Sequence, residues 1–339
     1  MNFENEKSEN TFSYQSYNCS IDNVKEQLNK YGVAVIPNVL DKSEIKNMRT
    51  GLWDTIEYLS QNCSTPIDRY DVNTWKTWYE LLPTHYMLLQ TYSIGHSQFV
   101  WDVRQNPKVV NVFSKIWDCN NEDLITSYDA ISFHIPPEIT KIGWYEADDW
   151  FHVDASYKRK DFECVQGFVT GYDINEGDAT LTLLEGSNNL HSKYSDKLGS
   201  ENIDFNFGDS DWVRLSKEDL DFYYQNGCKR KNVMAKAGSL LLWDSRTVHC
   251  GMEPLSNRIK PNFRLVSYVC MTPRDWMDEK TIELRRQALD ELYMTSHCPH
   301  RPKLFPKIPP NYGGYRKIPD TPLLDYPKLS ELGKKISGL

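Results

Sequence analysis

The chain opens with a polar stretch. MNFENEKSENTFSYQSYN is rich in Asn, Ser and Glu, too poor in apolar residues to order itself, and a disordered tail is expected over residues 1–20. From Ile21 the apolar positions become periodic. Ile21 to Tyr31 reads as a helix capped by Ser20, and YGVAVIPNVL (31–40) as a short strand ending at Pro37. Asp41 then caps DKSEIKNMRTGLWDTIEYL, where Ile45, Met48, Leu52 and Ile56 recur at helical spacing. Residues 70–117 are dense in aromatics, among them Trp75, Trp78, Tyr92, Phe99, Trp101 and Phe113. Their plain reading is helices packed on a sheet; a wall of a substrate pocket is the sharper one. Asn106-Pro107 opens the amphipathic helix KVVNVFSKIW.

Beyond residue 124 the period shortens to that of strands. LITSYDAISFHI (124–135), WFHVDASY (150–157), CVQGFVTGYDI (164–174) and ATLTLLEGS (179–187) come first. After a charged loop follow SLLLWDS (239–245) and FRLVSYVCM (263–271). Short strands parted by Gly, Asn, Asp and Pro predict an antiparallel sandwich or small barrel with flanking helices. DEKTIELRRQALDELYM is helical again. Pro299, Pro302, Pro306, Pro309, Pro310, Pro319, Pro322 and Pro327 then argue against regular structure. The expected organisation is a tail (1–20), one domain (21–275) with a helical part (21–123) and a sheet core (124–275), and a helix with a proline-rich arm docked on that core (276–339).

Composition narrows the function. With 40% hydrophobic residues the chain can bury a sizeable core. A net charge of -8 argues against a nucleic-acid partner, which needs a basic surface. The eight cysteines form no CxxC pair, so neither a disulfide framework nor a cysteine zinc site is expected. No apolar run suits a signal peptide or a membrane span. A soluble, cytoplasmic protein acting on a small molecule is the expectation.

The chemistry begins in WFHVDASY. Strand alternation puts His152 and Asp154 on one face and Val153 on the other, so two metal-competent groups can reach one ion. Alone, the pair reads more plainly as two solvated strand residues. A third ligand must come from another strand, and His249, just after SLLLWDSRTV, is the best placed of the remaining histidines. Two histidines and a carboxylate make the facial triad of non-haem iron(II) oxygenases. Arg264 opens the apolar strand FRLVSYVC, where a lone guanidinium wants a carboxylate partner. Arg258, in a polar loop, is its rival. His134 and Ser132 share a strand face and could serve a cosubstrate or the core. TSHCPH, with His297, Cys298 and His300, is better read as a loop over the active-site mouth than as a metal cluster. Asp244 is expected to cap the turn before His249, and His191 to sit in a loop.

Four segments together resemble the phytanoyl-CoA dioxygenase family of iron(II)/2-oxoglutarate-dependent oxygenases. They are YGVAVIPNVLDKSEI, WFHVDASY, VQGFVTGYDINEGDATLTLLEGSNNLH and GSLLLWDSRTVHCGMEPLSNRIKPNFRLVSYVC. The resemblance covers roughly residues 31–40 and 144–271. It implies a double-stranded β-helix (jelly roll), with His152, Asp154 and His249 as iron ligands and Arg264 on the remote carboxylate of 2-oxoglutarate. Phe168 falls where the family often has a tryptophan beside the cosubstrate, and His134 is a further candidate there. Iron(II), 2-oxoglutarate and O2 are the implied cofactor and cosubstrates, with succinate and CO2 as products. Asp154 favours hydroxylation, because related halogenases lack that carboxylate. EGDA and GSNN depart from the family's usual turns. A catalytically inactive jelly-roll binding protein, or a zinc hydrolase using the same three ligands, stands as the alternative; the hydrolase would leave Arg264 without a role.

Overall fold

The computed structural model describes residues 12–13, 17–206, 210–310 and 317–338. Its strands are β1 (Phe12–Ser13), β2 (Val33–Ile36), β3 (Leu88–Leu89), β4 (Leu124–Thr126), β5 (Ile131–His134), β6 (His152–Val153), β7 (Val165–Thr170), β8 (Thr180–Glu185), β9 (Val213–Arg214), β10 (Lys229–Val233), β11 (Leu240–Asp244), β12 (His249–Met252) and β13 (Arg264–Pro273). The helices are α1 (Val24–Tyr31), α2 (Lys42–Leu59), α3 (Gln98–Arg104), α4 (Pro107–Trp117), α5 (Pro137–Thr140), α6 (His191–Leu198), α7 (Ser200–Asn206), α8 (Lys217–Gln225), α9 (Glu279–Asp290) and α10 (Glu331–Ile336). The strands form two sheets, ordered β1-β10-β8-β12-β6-β9 and β2-β11-β7-β13-β5-β3, with β4 also paired to β13. Every pairing is antiparallel except β1 with β10.

Strand β11 shows how the layers assemble. Leu241 and Trp243 join Phe168, Val266, Leu181 and Leu183 in a core between the two sheets. Leu240 and Leu242 point the other way, into a core with Leu28, Met48, Leu52, Ile56 and Phe113 of α1, α2 and α4. A strand buried on both faces reads as an unbroken apolar run, which is why LLLW shows no alternation. On the far side of the other sheet, Phe151 and Val153 pack against Tyr194, Phe222 and Tyr223 of α6 and α8. Helices therefore cover both outer faces of the pair of sheets. No helix of the described residues is long and apolar enough to cross a membrane.

Helix α2 starts as expected. The Asp41 carboxylate accepts from Ser43 and Glu44 backbone N–H groups at 2.8 and 2.9 Å, while Glu44 accepts from Asp41 N–H at 2.7 Å. Trp75, Trp78, Phe99 and Phe113 of the aromatic segment are core residues.

Several expectations change. LITSYDAISFHI is two strands, β4 and β5, both paired to the ten-residue β13. The chain leaves the ladder between them because Tyr128 turns out into a cluster with Trp101, Ala288 and Leu289, its hydroxyl donating to the Ser337 carbonyl at 2.6 Å. The charged loop before residue 239 contains α6, α7, α8, β9 and β10, held by a capping box between Ser216 and Asp219. In the arm, α10 forms beyond the last proline, with Ser330 accepting from Gly333 N–H at 3.0 Å, and Ile336 is buried. Most of the expected tail lies outside the described residues, but Tyr17 is buried in the core between the sheets. Ser20 precedes the first helical turn without a side-chain capping bond.

Candidate metal centre

Strands β6 and β12 are neighbours, and their register sets His152 directly opposite His249. The two rings lie 4.3 Å apart between centroids. Only His152–Val153 of WFHVDASY joins the ladder; Asp154 follows, its N–H donating to the Ser245 carbonyl at 2.9 Å. Its Oδ2 sits 3.7 Å from His152 Nε2 and 3.3 Å from His249 Nε2. All three side chains are buried, and their ligand atoms lie within 4.8 Å of one another. Val153 points outward, as alternation requires.

The surrounding bonds prepare this cluster for a cation. His152 Nδ1 lies 3.1 Å from the Trp150 carbonyl, and His249 Nδ1 lies 2.9 Å from the Thr247 carbonyl. A carbonyl can only accept, so each Nδ1 carries hydrogen and each Nε2 lone pair is left to the site. Burial lowers the pKa of His152, and the neighbouring His249 adds to the effect, keeping the imidazole neutral. Burial alone would raise the Asp154 pKa. His297, His152 and His249 outweigh it and hold the carboxyl well below its usual range. Neutral imidazoles and a carboxylate are the donor set of a divalent first-row metal.

Two supporting residues gave little signal in the sequence. Gln166 on β7 donates from Nε2 to Asp154 Oδ2 at 2.7 Å, an orientation that only the β7 placement reveals. Trp150 stacks on His152 (4.7 Å, 9°) and on His85 (4.5 Å, 4°), and its indole N–H donates to the Gly251 carbonyl at 3.0 Å. Gln166→Leu removes the bond that orients the carboxylate. Metal affinity is expected to fall about 10- to 100-fold in equilibrium dialysis, the usual cost of losing such a partner.

The triad opens into a cavity of about 500 Å³ that Arg264, Phe168, Ser132, Trp150, Trp212 and His297 help to line. Arg264 is buried. Its Nε donates to Ser132 Oγ at 3.0 Å and one terminal nitrogen to the Ala179 carbonyl at 3.2 Å, with the Phe168 ring 5.1 Å away. The Tyr268 hydroxyl lies against the guanidinium and Glu253 stands near enough to be felt, yet no carboxylate is ion-paired to Arg264 among the described residues. Arg258 is already satisfied, by Glu138 at 2.6 Å and Asp178 at 3.1 Å. His134, the cross-strand partner of Arg264, is not among the residues that line the cavity. Its ring lies against Gly143, and burial drops its pKa to about 3. His297 and Ser296 border the cavity, whereas His300 bonds Thr272 at 3.1 Å and Cys298 packs with Cys164 and Cys270. His191 begins α6, stacked on Tyr157, away from the cavity. Asp244 accepts from Arg246 N–H at 2.9 Å in the turn before His249. The cavity takes Thr84, His85 and Met87 from the aromatic-rich segment, but none of the core aromatics named above.

No protein-family model matches the chain. It is similar to the Ava biosynthesis cluster protein O of Aspergillus versicolor, at 26% identity over 249 residues, covering 73% of this chain and 77% of that protein. Among solved structures, a hypothetical protein of Escherichia coli, JW0805, aligns with 95% of this chain and 85% of its own at 14% identity and a TM-score of 0.59, a likeness of fold. The epimerase SnoN, in complex with Fe3+, α-ketoglutarate and nogalamycin RO, aligns with 75% of this chain and 84% of its own at 13% identity and a TM-score of 0.45.

Proposed function

We propose that this protein is an iron(II)- and 2-oxoglutarate-dependent dioxygenase that hydroxylates a small, partly apolar organic substrate, releasing succinate and CO2. The observation that carries the reading is the conjunction of two features in one cavity. A buried His152–Asp154–His249 cluster offers a metal three ligands, and a buried Arg264 lacks an acid of its own. The cluster suits iron(II) on its donor chemistry, and the unpaired guanidinium suits a free dicarboxylate. The two facing sheets are read as a double-stranded β-helix. The relative in a biosynthesis cluster supports a small-molecule substrate, and thiols spaced for no disulfide framework favour the cytoplasm.

His152, Asp154 and His249 would hold the iron from one side, their Nδ1 and Gln166 contacts fixing each ligand. Bound there, iron(II) couples decarboxylation of 2-oxoglutarate by O2 to oxidation of the substrate. Arg264 would grip the remote carboxylate with two parallel hydrogen bonds. Ser132 steers the guanidinium and Phe168 packs near it. Trp150 and Trp212, in the cavity wall, exclude water from the reacting centre. The test is succinate formation from 2-oxoglutarate, with iron(II), zinc or no metal, in air and under nitrogen. Turnover only with iron(II) and air supports the reading. Absence of both metal binding and 2-oxoglutarate binding overturns it.

A further inference from the structure

The detour between β4 and β5 that sends Tyr128 outward leaves Asp129 on the inside, where it lines the same cavity as the metal cluster. Asp129 is only 8% exposed. One carboxylate oxygen accepts from the Ala130 N–H at 2.7 Å. The other has no hydrogen-bond donor, and no cation is ion-paired to the group, among the described residues. Arg104 comes close, but it donates to the Asp129 backbone carbonyl, not the carboxylate. Burial raises the Asp129 pKa, and the Ala130 N–H, His297 and Arg104 offset that only in part.

The other acids of the cavity are committed. Asp154 belongs to the metal cluster, and Asp211 is ion-paired with Arg159. Arg264 and Asp129 are opposite charges in one cavity that do not pair with each other. Two buried charges kept apart each bear a desolvation cost that a ligand of opposite sign offsets. Arg264 takes the carboxylate of the cosubstrate, and among the described residues neither Lys303 nor His297 of the same cavity is ion-paired with Asp129, which leaves that carboxylate open to a cation. The cavity is walled in part by Trp150, Trp212 and Phe305, which suit a flat apolar group and a cation over a ring face.

We propose that the substrate of this enzyme carries a basic nitrogen on an aromatic or otherwise apolar body, and that Asp129 is the residue that selects it. This rests on the oxygenase reading of the same cavity. Asp129 binds the ammonium or guanidinium directly and so fixes which carbon of the substrate faces the metal.

The experiment uses calorimetric titration of the full chain, loaded with iron(II) and 2-oxoglutarate under nitrogen. The probes are two matched pairs, tryptamine with tryptophol and 2-phenylethylamine with 2-phenylethanol, each differing by ammonium against hydroxyl. At least one amine is expected to bind about tenfold or more tighter than its alcohol, the scale of one charge-assisted hydrogen bond. In Asp129→Asn the preference should fall to within about twofold, while iron and 2-oxoglutarate binding persist. No amine preference in either pair, or a preference that survives Asp129→Asn, overturns the inference. The wild-type comparison decides this even where the variant fails to fold. Loss of iron or 2-oxoglutarate binding in the unmodified protein instead overturns the oxygenase reading, so the two failures are distinct.

Discussion

His152→Ala is expected to reduce bound iron from one ion per chain to near zero by metal analysis, and to abolish 2-oxoglutarate consumption. Three ligands converge within 4.8 Å, and removing one leaves a two-point contact that cannot hold a labile divalent ion. The fold should survive. His152 contributes a ring to the cavity wall, while the adjacent Val153 and Phe151 carry the packing against α6 and α8. Circular dichroism unchanged from the parent, together with lost metal, is therefore the expected pair of results. A variant that keeps stoichiometric iron and full turnover would remove His152 from the site.

Arg264→Gln tests the other half of the cavity. Truncating one member of a buried charge pair costs on the order of 2–5 kcal/mol, so the KM for 2-oxoglutarate should rise roughly thirtyfold or more. Iron binding should be unaffected, because no bond links the guanidinium to the triad. Arg258→Gln is the contrast. It strands Glu138 and Asp178, so it should lower the melting temperature and leave the KM unchanged. If both variants raise the KM equally, Arg264 has no special role.

The two substitutions also mark what the sequence could and could not disclose. Periodicity identified α2 and its capping residue, and it identified β11 because a strand buried on both faces leaves a solid apolar run. The candidate ligands were legible because HxD spacing in a strand is local, because His249 follows the apolar run of β11, and Arg264 because it opens the apolar run of β13. What connects those strands was not legible. The region before residue 239 is charged and aromatic, and its helices answer to packing on Phe151 and Val153 rather than to a clean period. The split between β4 and β5 depends on a distant partner, since Tyr128 is drawn out by α9 and the chain's end. Gln166 and Asp129 were missed for one reason: a single polar residue within a strand-like run declares its direction only when the facing strand is in place. The same is true of His134, whose removal from the cavity is a matter of one ring lying against Gly143.

The stacked trio of His85, Trp150 and His152 has an optical consequence. An indole in face-to-face contact with a metal-binding imidazole is a fluorophore within quenching range of whatever ion occupies that imidazole. Trp150 emission should dim as iron(II) or nickel(II) fills the centre and stay bright with zinc, which has no open d shell. Trp212 and Trp243 also lie within 6 Å of a candidate ligand ring and should dim as well, so the Trp150→Phe difference isolates the Trp150 share. Occupancy of the centre can then be followed by light alone, without turnover and before any substrate is identified.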